Sequence, residues 1–178
     1  DVDRLIEEGY YGLNVTIPLK EDAYKYCDIT SDVARALKAV NTLIINKDGV
    51  YGDNTDPIGF EKSIANRGLN NNLCLVLGAG GSARAVVYAL THMQCEIGIY
   101  NRTRENAESL CSDLGVEAKI LTETTLREFV GSSQLVVNTT SLGQQEGEEN
   151  NLIDFDSLNS SAHVYDLIYN PSKTTFLR

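Results

Sequence analysis

The chain has 178 residues with 15 Lys+Arg against 25 Asp+Glu, a formal net charge of −10. That length can bury a sizeable core, and 42% hydrophobic with 22% charged residues is the composition of a globular protein rather than a disordered or fibrous one. The acidic balance argues against a general nucleic-acid or anionic-membrane binder, because both need clustered positive charge, but leaves room for one small anionic ligand at a local basic site, and no apolar run is long enough for a membrane span. The four cysteines, Cys27, Cys74, Cys95 and Cys111, are widely spaced without a C-x-x-C pair, and only His92 stands near one. They read as reduced thiols of a cytoplasmic protein, with no metal site and no disulfide scaffold.

In chain order, an amphipathic N-terminal segment precedes Leu13–Ile17, whose alternation predicts a strand with Asn14 and Thr16 on one face and Val15 and Ile17 on the other. One short helix is expected after Lys20 and another after the cap residue Ser31. Thr42–Asn46 predicts a strand, and Asp48-Gly49 a hairpin turn into Val50–Gly52. Asp56-Pro57 marks a helix start, with Asp56 suited to cap and Pro57 at the first helical position, running to about Arg67 and stopping at Gly68.

Beyond Gly68 the pattern becomes regular: strand Leu73–Leu77, helix Ser82–Met93, strand Ile97–Tyr100, and helix Thr103–Leu114 closed by Gly115. A short strand Val116–Leu121, a brief helix Leu126–Val130, and strands Leu135–Asn138 and Val164–Leu167 follow. Gln144–Asn151 is a polar, acidic loop. Strands that are apolar on both faces and alternate with helices predict an α/β fold, a doubly wound parallel sheet of Rossmann type. The division of the chain is expected near residues 55–68, with a connecting helix over 56–67.

The stretch Leu73–Arg84 matches G-x-G-x-x-A, with Gly78 at the tight turn, Gly80 where backbone approaches a pyrophosphate, and Ala83 small enough for helix to pack on strand. Ala79, Gly81 and Ser82 complete the loop, and the helix start offers free N–H groups to phosphate. Because the motif lies between an apolar strand and a helix, it predicts dinucleotide binding. At the end of the next strand an NAD enzyme usually carries an acidic residue, whereas this chain has Asn101-Arg102-Thr103-Arg104. Guanidinium groups and a hydroxyl bind a 2′-phosphate that a carboxylate would repel, which favours NADP. The same residues also suit helix capping and solvated surface, and both roles can hold together. Lys20 follows a strand directly after Pro18-Leu19, where a lysine beside a cofactor cleft could move a proton. From spacing alone a surface lysine is the better reading. Asn41 can simply begin a strand, Asp56 can simply cap, and Tyr169-Asn170-Pro171 can be a turn.

Seven motifs in order nevertheless resemble the shikimate dehydrogenase family. They are Asn14-Val15-Thr16-Ile17-Pro18-Leu19-Lys20, Ala39-Val40-Asn41-Thr42-Leu43, Gly52-Asp53-Asn54-Thr55-Asp56, Gly78-Ala79-Gly80-Gly81, Asn101-Arg102-Thr103, Asn138-Thr139-Thr140-Ser141-Leu142-Gly143 and Tyr169-x-Pro171-x-x-Thr174. The resemblance implies a cytoplasmic oxidoreductase that uses NADP(H) to interconvert 3-dehydroshikimate and shikimate, on the route to chorismate and the aromatic amino acids. A shikimate/quinate dehydrogenase of looser specificity is a variant of this reading. A non-catalytic, ligand-binding regulatory relative is the alternative, against which the joint presence of Lys20 and Asp56 speaks.

By the same resemblance Lys20 is the catalytic lysine and Asp56 its partner carboxylate. Thr16, Asn41, Asp56 and Tyr169 contact substrate, with Asn14 in support. Gly78, Ala79, Gly80, Gly81, Ser82 and Ala83, together with Asn101, Arg102, Thr103 and Arg104, hold NADP. Thr139, Thr140, Ser141, Leu142 and Leu167 line its nicotinamide end, and Asp32 is a further cofactor-side position. No metal is implied, and the small-molecule substrate is the expected partner of a monomer or homodimer. Two departures stand out. Pro57 replaces the family's more frequent Gly, which predicts altered hinge stiffness rather than lost activity, and Asn106 replaces a frequent Arg, whose part Arg104 would take. The family's leading Ser-x-Ser strand and closing glutamine-bearing helix are absent, so the sequence reads as a fragment. Residues 1–55 would be the back of a smaller α/β substrate domain, and 56–178 most of the NADP domain.

Overall fold

A computed structural model describes residues 2–16, 18–145, 148 and 151–178. Ile17, and Glu146, Gly147, Glu149 and Asn150 of the acidic loop, lie outside the described residues. The chain divides into two compact units, Asp1–Gly59 and Phe60–Arg178.

The first unit runs α1 (Val2–Glu7), β1 (Gly12–Asn14), α2 (Lys20–Tyr26), β2 (Ile29–Thr30), α3 (Asp32–Leu37), β3 (Thr42–Asn46) and β4 (Gly49–Asp53), then enters α4 (Asp56–Ile64). Its sheet has the order β1-β3-β4-β2. The β3–β4 pair is the hairpin that Asp48-Gly49 announces, with Asn46 opposite Gly49. Strand β1 stops at Asn14, short of the expected Ile17, although burial still alternates through Thr16. Strand β2 escapes sequence pattern because it has only two residues. It exists through tertiary contacts: Asp28 Oδ2 accepts the Val50 amide at 2.8 Å, and the Ser31 amide donates to the Gly52 carbonyl at 2.9 Å. Ala23, Ala34, Val40, Leu43 and Val50 form the core, and the Ser31 hydroxyl caps α3 by accepting the Ala34 amide at 3.0 Å. A side chain at Gly52 would collide with Cys27 Sγ and Val40, which is why a strand interior carries glycine there.

Helix α4 gives way to a 3-10 turn, Ala65–Arg67, and ends at Gly68 with φ 65°. The second unit then alternates β5 (Leu73–Leu77), α5 (Gly81–His92), β6 (Glu96–Tyr100), α6 (Arg104–Leu114), β7 (Lys119–Ile120), α7 (Glu123–Ser132), β8 (Leu135–Asn138) and β9 (His163–Asp166). All four strand pairs are parallel, in the order β7-β6-β5-β8-β9. The doubly wound, Rossmann-like sheet expected from the sequence is therefore present. Its order reverses between β5 and β8, where ligands of such sheets bind beyond the strand ends.

Alternate residues of each strand enter opposite cores. Cys74, Val76, Ile97, Ile99, Leu135 and Val137 pack with Ile64, Val86, Leu90 and Leu110. Leu75, Leu77 and Val136 pack with Leu126, Phe129, Val130 and Phe176. Burying both faces explains the unbroken apolar runs of β5 and β8, and each fully buried Leu or Val is worth about 1.5–3 kcal/mol. Two expectations change here. The strand proposed over Val116–Leu121 is only Lys119–Ile120, because β7 is an edge strand. The brief helix at Leu126–Val130 extends over Glu123–Ser132, begun by reciprocal hydrogen bonds between Thr122 and Thr125 in place of the usual Glu or Gln. Among the described residues no helix is long and apolar enough to cross a membrane, and the four cysteines are free thiols.

Phe129 packs against the middle of β6, where a β-carbon on Gly98 would come within 2.5 Å of its ring. Gly98→Val should therefore cost about 1–3 kcal/mol of stability in urea unfolding. Adding Phe129→Leu should recover part of that loss; equal destabilisation of single and double variants would contradict the contact.

Candidate functional site

In the first unit, Pro18 and Leu19 form a turn in which the Leu19 amide donates to the Thr16 carbonyl at 2.9 Å, and α2 begins at Lys20 itself. The Lys20 carbonyl accepts the Val40 amide at 2.9 Å, which ties the lysine to the residue before Asn41. Asn41 is itself pinned by its backbone, donating to the Asp53 carbonyl at 3.0 Å and accepting the Val15 amide at 2.8 Å. Side chains complete the cluster. Lys20 Nζ donates to Asp56 Oδ2 at 2.7 Å, and Asn41 Nδ2 donates to Asp56 Oδ1 at 2.7 Å. Asn41 Oδ1 accepts the Thr55 amide at 3.0 Å and the Thr42 hydroxyl at 2.9 Å, which fixes the orientation of its amide.

Asp56 is not the cap that its place before Pro57 suggests: it is the first residue of α4, and both carboxylate oxygens are engaged by polar side chains. The residue that delivers it is Asn54, to which sequence reading assigns no role beyond its motif. Asn54 is 4% exposed, donates to the Ala39 carbonyl at 3.0 Å and accepts the Asp56 amide at 3.1 Å. A buried Asn in an otherwise polar turn is a signal that only burial reveals. The Lys20 and Asp56 side chains keep 22% and 35% of their exposure, so the ammonium is reachable from solvent. One of its three N–H groups serves Asp56, and the others have no partner among the described residues. Thr16 and Asn14 are exposed, and the Thr16 hydroxyl has no hydrogen bond among the described residues. Asp32 pairs at the surface with Arg35 at 2.9 Å.

In the second unit, Gly78 turns the chain with φ 108°, its amide bonded to the Tyr100 carbonyl at 2.8 Å. A β-carbon there would meet Thr139 Oγ1 at 2.6 Å. Gly80 and Gly81 are the opposite case, since added β-carbons would meet nothing within 4 Å. Helix α5 starts at Gly81 without a side-chain cap, so its first N–H groups are not taken up by a capping side chain. Ala83 is fully buried against the strands, and Ala79 and Ser82 are half-buried. This uncapped, side-chain-free helix start fits a pyrophosphate on physical grounds: donors, dipole and room coincide.

The residues after β6 are less uniform. Asn101 Nδ2 donates to the Thr103 carbonyl at 2.7 Å, bracing the turn, while Thr103 precedes α6 without a side-chain capping bond. Arg102 is exposed, with no partner among the described residues, whereas Arg104 is paired with Glu108 at 2.7 Å across one helical turn. An exposed pair of that kind is worth only about 0.3–0.5 kcal/mol and would yield to a phosphate. Thr139 donates to the Leu77 carbonyl at 2.7 Å, and Thr140 to Asn138 Oδ1 at 2.7 Å. Ser141 is exposed and Leu142 half-buried. The half-buried Leu167 bonds its amide to the Asn138 carbonyl at 3.1 Å, and Tyr169 is 91% exposed. A separate cleft of about 560 Å³ beside α7, bordered by Tyr100, Glu123, Arg127 and Ile153, includes none of the glycine-turn residues.

The two kinds of glycine should part in unfolding experiments. Gly78→Ala, forced to φ 108° against Thr139, should lose at least about 1 kcal/mol, while Gly80→Ala, facing open space, should stay within about 0.5 kcal/mol of the parent.

Comparison with known proteins agrees with these observations. The family model described as shikimate dehydrogenase substrate binding domain matches residues 1–43, and that described as shikimate / quinate 5-dehydrogenase matches residues 61–161. The shikimate dehydrogenase (NADP(+)) of Caldicellulosiruptor bescii is 39% identical over 97% of this chain and 62% of its own length. A crystal structure of the Thermus thermophilus shikimate 5-dehydrogenase in complex with NADP(H) and shikimate superposes with a TM-score of 0.83 at 32% identity, over 98% of this chain and 64% of that one. The quinate dehydrogenase of Corynebacterium glutamicum in complex with NAD gives 0.87 at 28%, over 99% and 65%. The chain thus spans a little under two thirds of these relatives. With the parallel sheet, the glycine turn and the family match over 61–161 in agreement, the chain belongs to the shikimate/quinate 5-dehydrogenase family.

Proposed function

We propose that this chain is the greater part of an NADP-dependent shikimate dehydrogenase, which reversibly reduces 3-dehydroshikimate to shikimate. Residues 1–55 would belong to its substrate domain and 56–178 to its NADP domain. The observation that carries the reading is the Lys20–Asp56–Asn41 cluster, a reachable ammonium on a carboxylate whose geometry is held from both sides. NADPH supplies the hydride. Reduction of a ketone leaves a negative oxygen that must take up a proton, and Lys20 Nζ, with N–H groups not committed to Asp56, is the donor in this reading. Asp56 holds the ammonium in place and accepts a substrate hydroxyl, while Asn41 keeps the carboxylate from rotating. In the oxidative direction the same groups run in reverse, with Lys20 taking the hydroxyl proton. Thr16 and Tyr169, both exposed, are available to contact substrate.

The cofactor side of the proposal rests on Gly78–Ala83 for the pyrophosphate, on Asn101–Arg104 for the 2′-phosphate, and on Thr139–Leu142 with Leu167 for the nicotinamide end. Arg102, unpartnered among the described residues and exposed, is the group best placed to pair with phosphate; Arg104 joins by leaving Glu108. A quinate-oxidising variant is kept as the second reading because the chain resembles a quinate dehydrogenase as well as shikimate dehydrogenases. A purely regulatory relative has less use for a lysine with uncommitted N–H groups.

The test follows NADP reduction by the full-length protein with shikimate and with quinate. Shikimate should be the better substrate, and Lys20→Ala should lower kcat by about 10²–10⁴-fold. Asp56→Asn should lower it too, with intact NADPH binding. A parent protein that binds NADPH but oxidises neither compound would refute the dehydrogenase reading. Retention of most activity by Lys20→Ala would refute the role of that residue. Arg102→Asp should weaken NADPH by tenfold or more, about 1.4 kcal/mol, while leaving NADH nearly unchanged; equal losses would show that Arg102 does not read the 2′-phosphate.

A further inference from the structure

Behind the loops that follow β8 and β9, several polar side chains with no part in the proposed chemistry converge on one carboxylate. Asp166, the last residue of β9, accepts Asn138 Nδ2 and the Ile168 amide on Oδ1, both at 3.0 Å, and the Thr174 hydroxyl on Oδ2 at 2.5 Å. Asn138, the last residue of β8, lies opposite Asp166 in the parallel register. Asn138 is 0% and Thr174 1% exposed, while Asp166 itself is half-buried, so the carboxylate is held between two buried polar side chains.

The network has a direction. A carboxylate only accepts, so it draws Asn138 Nδ2 towards itself and leaves Asn138 Oδ1 to face the loop. That oxygen takes the Thr140 amide at 3.1 Å and the Thr140 hydroxyl at 2.7 Å. The Thr140 oxygen in turn accepts the Leu142 amide at 3.2 Å. On the other side, the Asn138 carbonyl holds the Leu167 amide at 3.1 Å, one residue before the Ile168 amide that Asp166 takes. The carboxylate therefore braces the backbone at Thr140 and Leu142 after β8 through the Asn138 side chain, and the Ile168 amide after β9 directly, while Leu167 is held by the Asn138 backbone. Two loops that leave neighbouring strands, each free to vary on its own, are locked to one another by a charge that neither of them carries.

We propose that Asp166, itself oriented by Thr174, is a positioning residue for hydride transfer: it registers the two loops proposed to line the nicotinamide end. This rests on the function proposed above and extends it to residues that touch neither substrate nor cofactor. Hydride transfer demands close approach of the reacting atoms, and a displacement of about 1 Å costs of the order of 10²-fold in rate. A hydrogen-bond network anchored on two buried side chains is a physical means of denying the loops that displacement.

The test uses full-length protein with Thr174→Val, which keeps shape and removes the hydroxyl, Thr174→Ser, which restores it, and Asp166→Asn, which replaces one acceptor with a donor. Four quantities are measured: kcat, KM for shikimate, NADPH affinity by fluorescence, and amide hydrogen exchange in the cofactor-free protein. In Thr174→Val, kcat should fall by about 10–100-fold with KM for shikimate changing far less, and NADPH should bind several-fold more weakly. Exchange should accelerate at Leu142, Leu167 and Ile168 while the β5 and β6 amides stay as protected as before. Thr174→Ser should return all of these towards the parent, and Asp166→Asn should resemble the valine variant. An active parent whose Thr174→Val variant keeps kcat within about twofold overturns the proposal, as does exchange that accelerates evenly across the sheet, the mark of lost stability alone. If the parent oxidises neither shikimate nor quinate, the dehydrogenase reading fails separately. Local exchange with weakened NADPH binding then still upholds the positioning of the loops, and unchanged binding removes it.

Discussion

Covering both faces of a five-stranded parallel sheet is the constraint from which the rest of the second unit follows. Parallel strands need crossovers, and each crossover helix must lie over a face, so β5 and β8 become continuous apolar runs with Leu75, Val76, Val136 and Val137 fully buried. The crossovers also deliver every strand end to the same edge. Gly78, Asn101, Thr139 and Leu167 come from four separate stretches of sequence, yet each follows the carboxyl end of a strand in that sheet. The reversal of strand order between β5 and β8 then leaves the edge open at the glycine turn.

Close approach sharpens this arrangement. Gly78 lacks a side chain because Thr139 occupies the space beside it, and Thr139 can sit there because its hydroxyl is satisfied by the Leu77 carbonyl. Gly80 and Gly81 lack side chains for the opposite reason, since nothing of the protein occupies their surroundings. Packing explains the first glycine and does not explain the other two, whose open surroundings leave room for a phosphate at the helix start. The first unit solves a related problem with polar groups. Asn41 and Asn54 spend their hydrogen-bonding capacity on backbone and on Asp56, so that the carboxylate meets Lys20 in a fixed orientation.

Regular elements were legible in the sequence wherever a local rule suffices. Leu73–Leu77, Leu135–Asn138 and Thr42–Asn46 form strands over those same residues, and Gly68 and Gly115 end their helical segments in the left-handed conformation. Local rules failed where the cause was distant. Strand β2 depends on Asp28 reaching Val50, and β7 is clipped by its place at the sheet edge. Helix α7 starts early for a local reason, a mutual cap between two threonines three residues apart in place of the usual Thr and Glu. Motif matching selected Lys20, Asn41 and Asp56. It gave no means of seeing that Asp166 couples two loops, because hydrogen bonds between residues 138 and 166 leave no periodic trace.

By itself the sequence determined the alternation of strands and helices, the glycine turn at Gly78–Ala83 and the residue types suited to a reduced-nicotinamide enzyme, because periodicity, turn chemistry and motif spacing are properties of neighbouring residues. Tertiary structure alone decided that Asp56 is a salt-bridged carboxylate rather than a helix cap, and that Asn54, Asn138 and Thr174 are buried. Those outcomes turn on which side chains meet across long separations in the chain, and on how much water remains between them. Both are set by packing the sheets and helices together.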